Sequence, residues 1–359
     1  MSVDSILEDF SRRDWQTRST TEDPVRFAMV GLGWWTIDKA IPATETAALC
    51  ETTTVVSGSE KKANDVATEF DLDAALTYEE FLEEAASGVY DAVYVATPNN
   101  THRRYVEGAA ALGKDALCEK PMAASVDGAR SMVERCDAAD VTLMIAYRMQ
   151  TEPAVRRARD LVRAGALGEL TQIHSHVSID LLGINPDENQ WKLDPEMGGG
   201  AMFGVGVYPL NTVEFVIDAD PERVYANTWV TDDAFADVNE HVTFQLEFRD
   251  DVVALCSASH GGQLASNLRL VGTEGSINLE PIFHPWQTRQ LTFHREETTA
   301  TVQVEDVNQM VEEFEYFADR LLSDTSPAPD GREGCRDIEI MEAAHESAQS
   351  DIPVSTDGF

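Results

Sequence analysis

The chain has 359 residues, 43% of them hydrophobic, with 64 Asp and Glu against 27 Lys and Arg, a formal net charge of −37. Its length exceeds what a single core usually holds, so two domains are expected. The acidic balance leaves no basic face for nucleic-acid phosphates, and no continuous apolar run approaches the roughly 18 residues of a membrane span.

The segment Met1–Asp23 is polar and mixed in charge, without an apolar signal core, so a cytoplasmic protein is expected. Only six of the basic residues are Lys. So acidic a chain, still well patterned, is expected to rely on the screening of a salt-rich, halophilic cytosol. Cys50, Cys118, Cys136, Cys256 and Cys335 are scattered and lack Cys-x-x-Cys spacing, which suits reduced structural thiols.

Residues 1–24 read as an N-terminal arm ending at Pro24. Val25–Val30 is an apolar strand followed by Gly31-Leu32-Gly33 and a helical stretch. A short strand at Thr54–Val56 ends in Ser57-Gly58, and Glu60–Phe70 is helical. Strands at Asp91–Ala96 and Asp115–Cys118 flank a helix through Tyr105–Leu112; a helix at Ser125–Ala139 then leads to Val141–Tyr147. This alternation predicts a parallel, doubly wound α/β domain over residues 25–148, with ligand sites at the carboxyl ends of its strands.

The texture then changes. A helix at Pro153–Ala164 precedes an alternating segment, Gly168–Ile179, and the glycine-rich Gly198–Gly206 opens a helix to about Val216. Period-2 segments at Arg223–Val230, His241–Phe248, Val252–Ala258 and Ser266–Val271 predict a largely antiparallel open sheet flanked by helices. Helices at Val307–Leu322 and Cys335–Ser350 close this α+β domain, 149–359, for substrate binding and oligomerisation. Its alternating Val224, Ala226, Thr228 and Val230, with Phe244, Leu246 and Phe248, offer an outer face through which a homodimer or homotetramer is expected.

Gly31-x-Gly33-x-x-Thr36 lies where a dinucleotide fingerprint belongs, between a strand and a helix, although Thr36 replaces its third glycine. An acid at the tip of the second strand would select a free ribose hydroxyl. Here the tip reads Ser57-Gly58-Ser59-Glu60-Lys61-Lys62, which offers hydroxyls and cations to a 2′-phosphate, and NADP is the expected cofactor. The bland alternative makes Lys61 and Lys62 ordinary solvated helix residues.

Thr97-Pro98-Asn99-Asn100-Thr101-His102 and Glu119-Lys120-Pro121 follow two strands and share the sheet edge with the glycine turn. Nicotinamide is expected there, and His102 stands as an alternative base. Three further groupings are read as structural. They are the strand pair His174-x-His176, which lacks a third zinc ligand; the turn acids Asp232, Asp233 and Asp237; and the helix face Arg156-Arg157-x-Arg159. No metal is expected.

Taken with their order and spacing, these motifs resemble the glucose–fructose oxidoreductase, inositol dehydrogenase and rhizopine-catabolism family, Gfo/Idh/MocA. The likeness runs through Val25-Arg26-Phe27, Gly31-Leu32-Gly33, Ser57-Gly58, Ala96-Thr97-Pro98-Asn99, Glu119-Lys120-Pro121, Gly198-Gly199-Gly200 and Glu342-Ala343 to Ser347-Ala348. It covers nearly all of residues 25–355. Trp34, Trp35 and Tyr147-Arg148 are most similar to the glucose–fructose oxidoreductase branch.

The resemblance implies a Rossmann domain and oxidation of an aldose, D-xylose leading, at C1 to its lactone. It makes Lys120 the active-site lysine and Tyr208 the catalytic tyrosine, and it places Trp34, Trp35, Tyr78, Arg148 and Trp191 around the cofactor. An ammonium beside the phenol would favour its ionised form and so prepare it to take a proton. The family commonly carries Asp one turn before that tyrosine; Gly204 stands here, and room for substrate is the expectation. Alternatives are a related sugar or dihydrodiol dehydrogenase, a sugar–sugar oxidoreductase holding NADP, and a non-catalytic NADP-binding sensor.

Overall fold

The protein is described by a computed structural model for residues 13–187, 190–285, 287–302 and 304–356. The beginning of the expected N-terminal arm therefore lies outside the described residues. Two compact units emerge. Among the described residues, one holds 13–148 with 308–338, the other 149–307 with 339–356.

In the first unit six parallel strands form one sheet: β1 (Val25–Val30), β2 (Cys50–Ser57), β3 (Ala74–Thr77), β4 (Ala92–Val95), β5 (Asp115–Cys118) and β6 (Leu143–Ile145), in the order β3-β2-β1-β4-β5-β6. Strand order reverses between β1 and β4, so the loops leaving their carboxyl ends diverge and open a crevice. The strands are apolar on both faces: Phe27, Met29, Val55, Tyr94 and Leu117 are wholly buried, as a sheet covered by helices on both sides requires. β3 escaped the sequence reading because Ala74-Ala75-Leu76-Thr77 carries little apolar signal.

Asn308–Ile338, expected in the C-terminal domain, packs instead with this first unit. The reason is apolar: helix Gln309–Leu322 sets Phe314 edge-on to Phe27, ring centroids 5.1 Å apart, and against Tyr94 at 5.0 Å. The described part of the arm docks on the same helix. Arg13 pairs with Glu312 and Glu315, Trp15 meets the Tyr316 ring at 5.0 Å, and Thr17 bonds Asp319.

The second unit is built on nine strands: β7 (Leu170–Asp180), β8 (Arg223–Trp229), β9 (His241–Glu247), β10 (Val253–Ser259), β11 (Gly261–Gly272), β12 (Gly275–Leu279), β13 (Leu291–Arg295), β14 (Thr298–Val302) and β15 (Val354–Ser355). All neighbours pair antiparallel except β7 and β10. One face is covered by this unit's own helices, and that corrects the expected oligomer surface: Val224, Ala226, Phe244 and Leu246 are at most 2% exposed. The outward face instead carries Tyr225, Asn227 and Trp229 with Leu255, of which Trp229 and Leu255 are conspicuously exposed.

The segment Pro195–Ile217 has the length and mean hydropathy of a membrane span, unlike the expectation that nothing came close. Glycines and single acids interrupt its apolar run, and 78% of its most apolar window is buried in protein. It serves as the core helix of the second unit. The five cysteines are buried, and none is in a disulfide.

Candidate active site

At the end of β1 the chain turns at Gly31 with φ +98°, a conformation that side chains rarely adopt. A Cβ there would stand 2.6 Å from the Ala96 carbonyl oxygen and 2.7 Å from Thr97 Cγ2, so the turns after β1 and β4 interlock only around glycine. Gly33 differs. Nothing lies within 4 Å of where its Cβ would be, which leaves bare backbone for a pyrophosphate to approach. Leu32 turns its side chain into the core. Thr36, in place of the third glycine, is fully buried and donates from Oγ1 to the Gly31 carbonyl at 2.6 Å, tying the turn to the first helical residues.

After β2, buried Ser57 accepts from the Ser59 amide at 3.3 Å, and Ser59 caps helix Glu60–Glu69 by accepting from the Lys62 amide. Gly58 is exposed, and a Cβ on it would touch the Tyr78 ring at 3.2 Å. The Tyr78 ring lies tilted against Tyr105, centroids 4.7 Å apart, and burial pushes its phenol above the ordinary range. Lys61 is paired with Asp65 one turn along its own helix. Among the described residues no carboxylate pairs with the Lys62 ammonium, which is exposed beside the cap.

The loops after β4 and β5 are joined by His102. Its Nε2 lies 2.7 Å from the Thr97 carbonyl oxygen, and its Nδ1 lies 3.2 Å from those of Pro121 and Met122. The ring is 1% exposed, and burial lowers its pKa. This corrects the expectation of His102 as cofactor contact or alternative base: both nitrogens are committed to backbone inside the protein. Thr97 also accepts from the Thr101 hydroxyl at 2.8 Å, Asn99 is buried, and Pro98 stays half-buried at the rim.

Glu119 is turned inward as well. Its Oε1 accepts from the Tyr94 hydroxyl at 2.6 Å and from Trp35 Nε1 at 3.0 Å, and its Oε2 accepts from the Lys120 amide at 3.1 Å. The carboxylate and Trp35 thus hold the Lys120 backbone in place, while the Lys120 side chain stays half-exposed. Burial, then the charges of Glu119 and Glu313, push the Tyr94 phenol well up. Trp34, edge-on to Trp35 at 5.4 Å, is 59% exposed.

Arg148, expected at the cofactor, is 5% exposed and donates to Gln309. One turn after Gln309, the Glu313 carboxyl is buried with neither oxygen hydrogen-bonded. Burial, then the nearby Glu119, raises its pKa well above the usual carboxylate range, against the pull of Arg148 and Lys120.

In the second unit, a π-helical turn Met202–Gly206 runs on as α-helix Val207–Ile217. Asn239 fixes its start: its Oδ1 accepts from the Met202 amide and its carbonyl from the Ala201 amide, both at 2.8 Å. Nearly every side chain of this helix is buried; Phe203 and Tyr208 are half-buried exceptions. The Tyr208 ring stacks on Phe283, centroids 5.7 Å apart at 26°. The expected room at Gly204 is corrected, because His260 occupies it: a Cβ at 204 would lie 2.6 Å from Nε2 and 2.7 Å from Cε1 of that imidazole. Trp191 is half-buried in the short 3₁₀ turn Trp191–Leu193, with Lys192 Nζ 5.8 Å from its ring centre. Arg157, on the helix face expected to pair with surplus acids, is 2% exposed.

A model of the oxidoreductase family with an NAD-binding Rossmann fold matches residues 25–147, and a GFO/IDH/MocA C-terminal domain model matches residues 155–278. The chain belongs to the Gfo/Idh/MocA family. It is 48% identical over 360 residues to the D-xylose 1-dehydrogenase [NADP(+)] of Haloarcula marismortui, covering 99% of this chain and 100% of that protein. It is 30% identical to D-xylose 1-dehydrogenase (NADP(+)) 2 of Haloferax volcanii, over 92% and 99% of the two chains. Among solved structures, the aldose-aldose oxidoreductase of Caulobacter crescentus complexed with glycerol is similar, with a TM-score of 0.87 at 26% identity, over 93% of this chain and all of that one.

For this Gfo/Idh/MocA member, sequence reading found the loops of the parallel sheet and missed the residues packed behind the sites within each unit. Tyr94, Glu313, Asn239, His260 and Phe283 lie outside any short motif. Glu313 is one of 64 acids and so gave no signal by type; its place on the apolar stripe of its helix was the available clue.

Proposed function

We propose that the protein is an NADP-dependent D-xylose 1-dehydrogenase, oxidising the anomeric hydroxyl of the pentose to the aldonolactone. The full-length likeness, 48% over 99% of the chain, carries the reading. The crevice supports it: Gly33 offers bare backbone, and Ser57, Ser59 and Lys62 supply hydroxyls and one exposed cation for a 2′-phosphate. NADP, when bound, supplies the hydride acceptor.

The chain's own residues manage charge and protons. The Lys120 ammonium, on a backbone fixed by Glu119, holds the substrate hydroxyl and stabilises the negative charge that develops on its oxygen. The Tyr208 phenol takes the proton of that hydroxyl as hydride leaves C1. Trp34, Trp35, Tyr78 and Trp191 line the cofactor in this reading. It further makes the protein a cytoplasmic homo-oligomer of a salt-rich cell, with exposed Trp229 and Leu255 on the outward sheet face supporting association.

A panel of aldoses with NADP and purified protein in molar salt tests the reading. D-xylose should give the fastest reduction of NADP, with lactone as product. Binding of NADP without turnover of any aldose would leave a sensor in its place. Reduced cofactor that stays on the protein until a second sugar reoxidises it would mark a sugar–sugar oxidoreductase.

A further inference from the structure

His260 links β10 to β11, and its main chain is held on both sides: its amide donates to the Glu240 carbonyl at 2.9 Å, and its carbonyl accepts from the Leu181 amide at 2.8 Å. The ring, 1% exposed, therefore has little freedom of position. The Phe235 ring lies 6.3 Å away, and the face of helix Met202–Ile217 that lacks a side chain at Gly204 receives the imidazole. Tyr208 follows Gly204 by one turn. Residues four apart share one face of a helix, so Tyr208 stands on the face that receives His260.

Filling the gap at Gly204 does not by itself require an imidazole; an aliphatic side chain would fill it as well. Imidazole is also the side chain best matched to exchanging a proton near neutrality. We propose that His260 is the positioning residue of Tyr208, orienting its hydroxyl and receiving its proton. As the phenol oxygen accepts the proton of the anomeric hydroxyl, the phenol's own proton passes to an imidazole nitrogen, and water later removes it. The inference rests on Tyr208 being the proton acceptor proposed above. It adds that the group behind it reaches the helix from the sheet, through the gap at Gly204.

Four variants test this, with kcat, KM for D-xylose and for NADP, and thermal midpoint measured for each in molar salt. His260→Asn keeps much of the ring's bulk without its basicity; it should lower kcat at least about tenfold while both KM values stay within about threefold. His260→Ala should do the same. Gly204→Asp combined with His260→Ala places a carboxylate in the vacated space and remakes none of the His260 contacts; it should recover at least about tenfold over His260→Ala. A purely structural ring would not be replaced this way.

Retention of kcat within about twofold by both single variants, while Tyr208→Phe is inactive, would overturn the role of His260 alone. So would a loss in His260→Asn that appears only as a lower thermal midpoint or raised KM. Should the double variant fail to fold, the His260→Asn split between kcat and KM still decides. Full turnover by Tyr208→Phe would remove the Tyr208 reading first, and this inference with it.

Discussion

Around Lys120, the edge of the parallel sheet is held by charged and polar groups that bond one another; around Tyr208, a helix is held by apolar packing and by a neighbour that fills a missing side chain. In the first region Glu119 collects Trp35, Tyr94 and the Lys120 amide, and His102 clamps two loops, so a fixed backbone presents the Lys120 side chain. In the second, Asn239 pins the glycine-rich start of the helix, and Tyr208 lies flat against Phe283. A cation that must follow charge on a substrate oxygen benefits from a long flexible stem on a rigid base. A phenol that must exchange a proton needs its ring fixed instead.

Tyr208→Phe breaks the comparison most sharply. It keeps the ring stack and removes only the hydroxyl, so turnover should fall by about 100- to 10,000-fold with NADP affinity nearly unchanged. A loss below about tenfold, measured by steady-state kinetics, would take Tyr208 out of proton transfer. Lys120→Ala should cost turnover to a similar degree and also weaken NADP, because the ammonium is expected to reach the nicotinamide ribose; titration of NADP by fluorescence separates the two effects.

Lys62→Glu probes the far end of the same crevice. Losing one charge-assisted contact and adding a repelling carboxylate should weaken NADP by about 10- to 100-fold and leave NAD within a few-fold, read as the ratio of the two KM values. Equal losses would return the role to Lys61, despite its pairing with Asp65.

These residues show how much of the site was legible. Strand-end loops such as Gly31–Gly33, Thr97–His102 and Glu119–Pro121 are contiguous, so their chemistry appears as motifs, and the parallel fold follows from the alternation that spaces them. What holds the residues of each unit in place comes from distant chain. His260 enters the space at Gly204, Asn239 holds Met202, and helix Gln309–Leu322 brings Glu313 to the Lys120 region. Period and composition carry no record of such pairings. His102 was misread for a related reason: its position beside the motifs was visible, but not its burial.

The smaller effects concern charge. Lowering salt from molar to about 0.1 M lengthens the screening distance toward roughly 10 Å and should lower the unfolding temperature of a chain with net charge −37. An unchanged midpoint in dilute buffer would contradict a salt-dependent fold. Glu313→Gln should act least, and with a definite sign. A carboxyl whose folded pKa is raised above its ordinary 4.5 costs stability as pH rises beyond that value, because the unfolded chain ionises first. Stability relative to the parent should therefore shift in favour of Gln as pH rises past 4.5, followed by denaturant unfolding. A constant difference across that rise would place an ionised Glu313 in the fold.

The central claim, removal of hydride from C1 of an aldose, is tested most directly with D-xylose carrying deuterium at C1. Incubated with NADP and the protein in molar salt, it should give reduced cofactor that contains the deuterium by mass spectrometry, and a lactone that has lost it. Reduced cofactor without deuterium, from a sugar that keeps its label, would contradict the account.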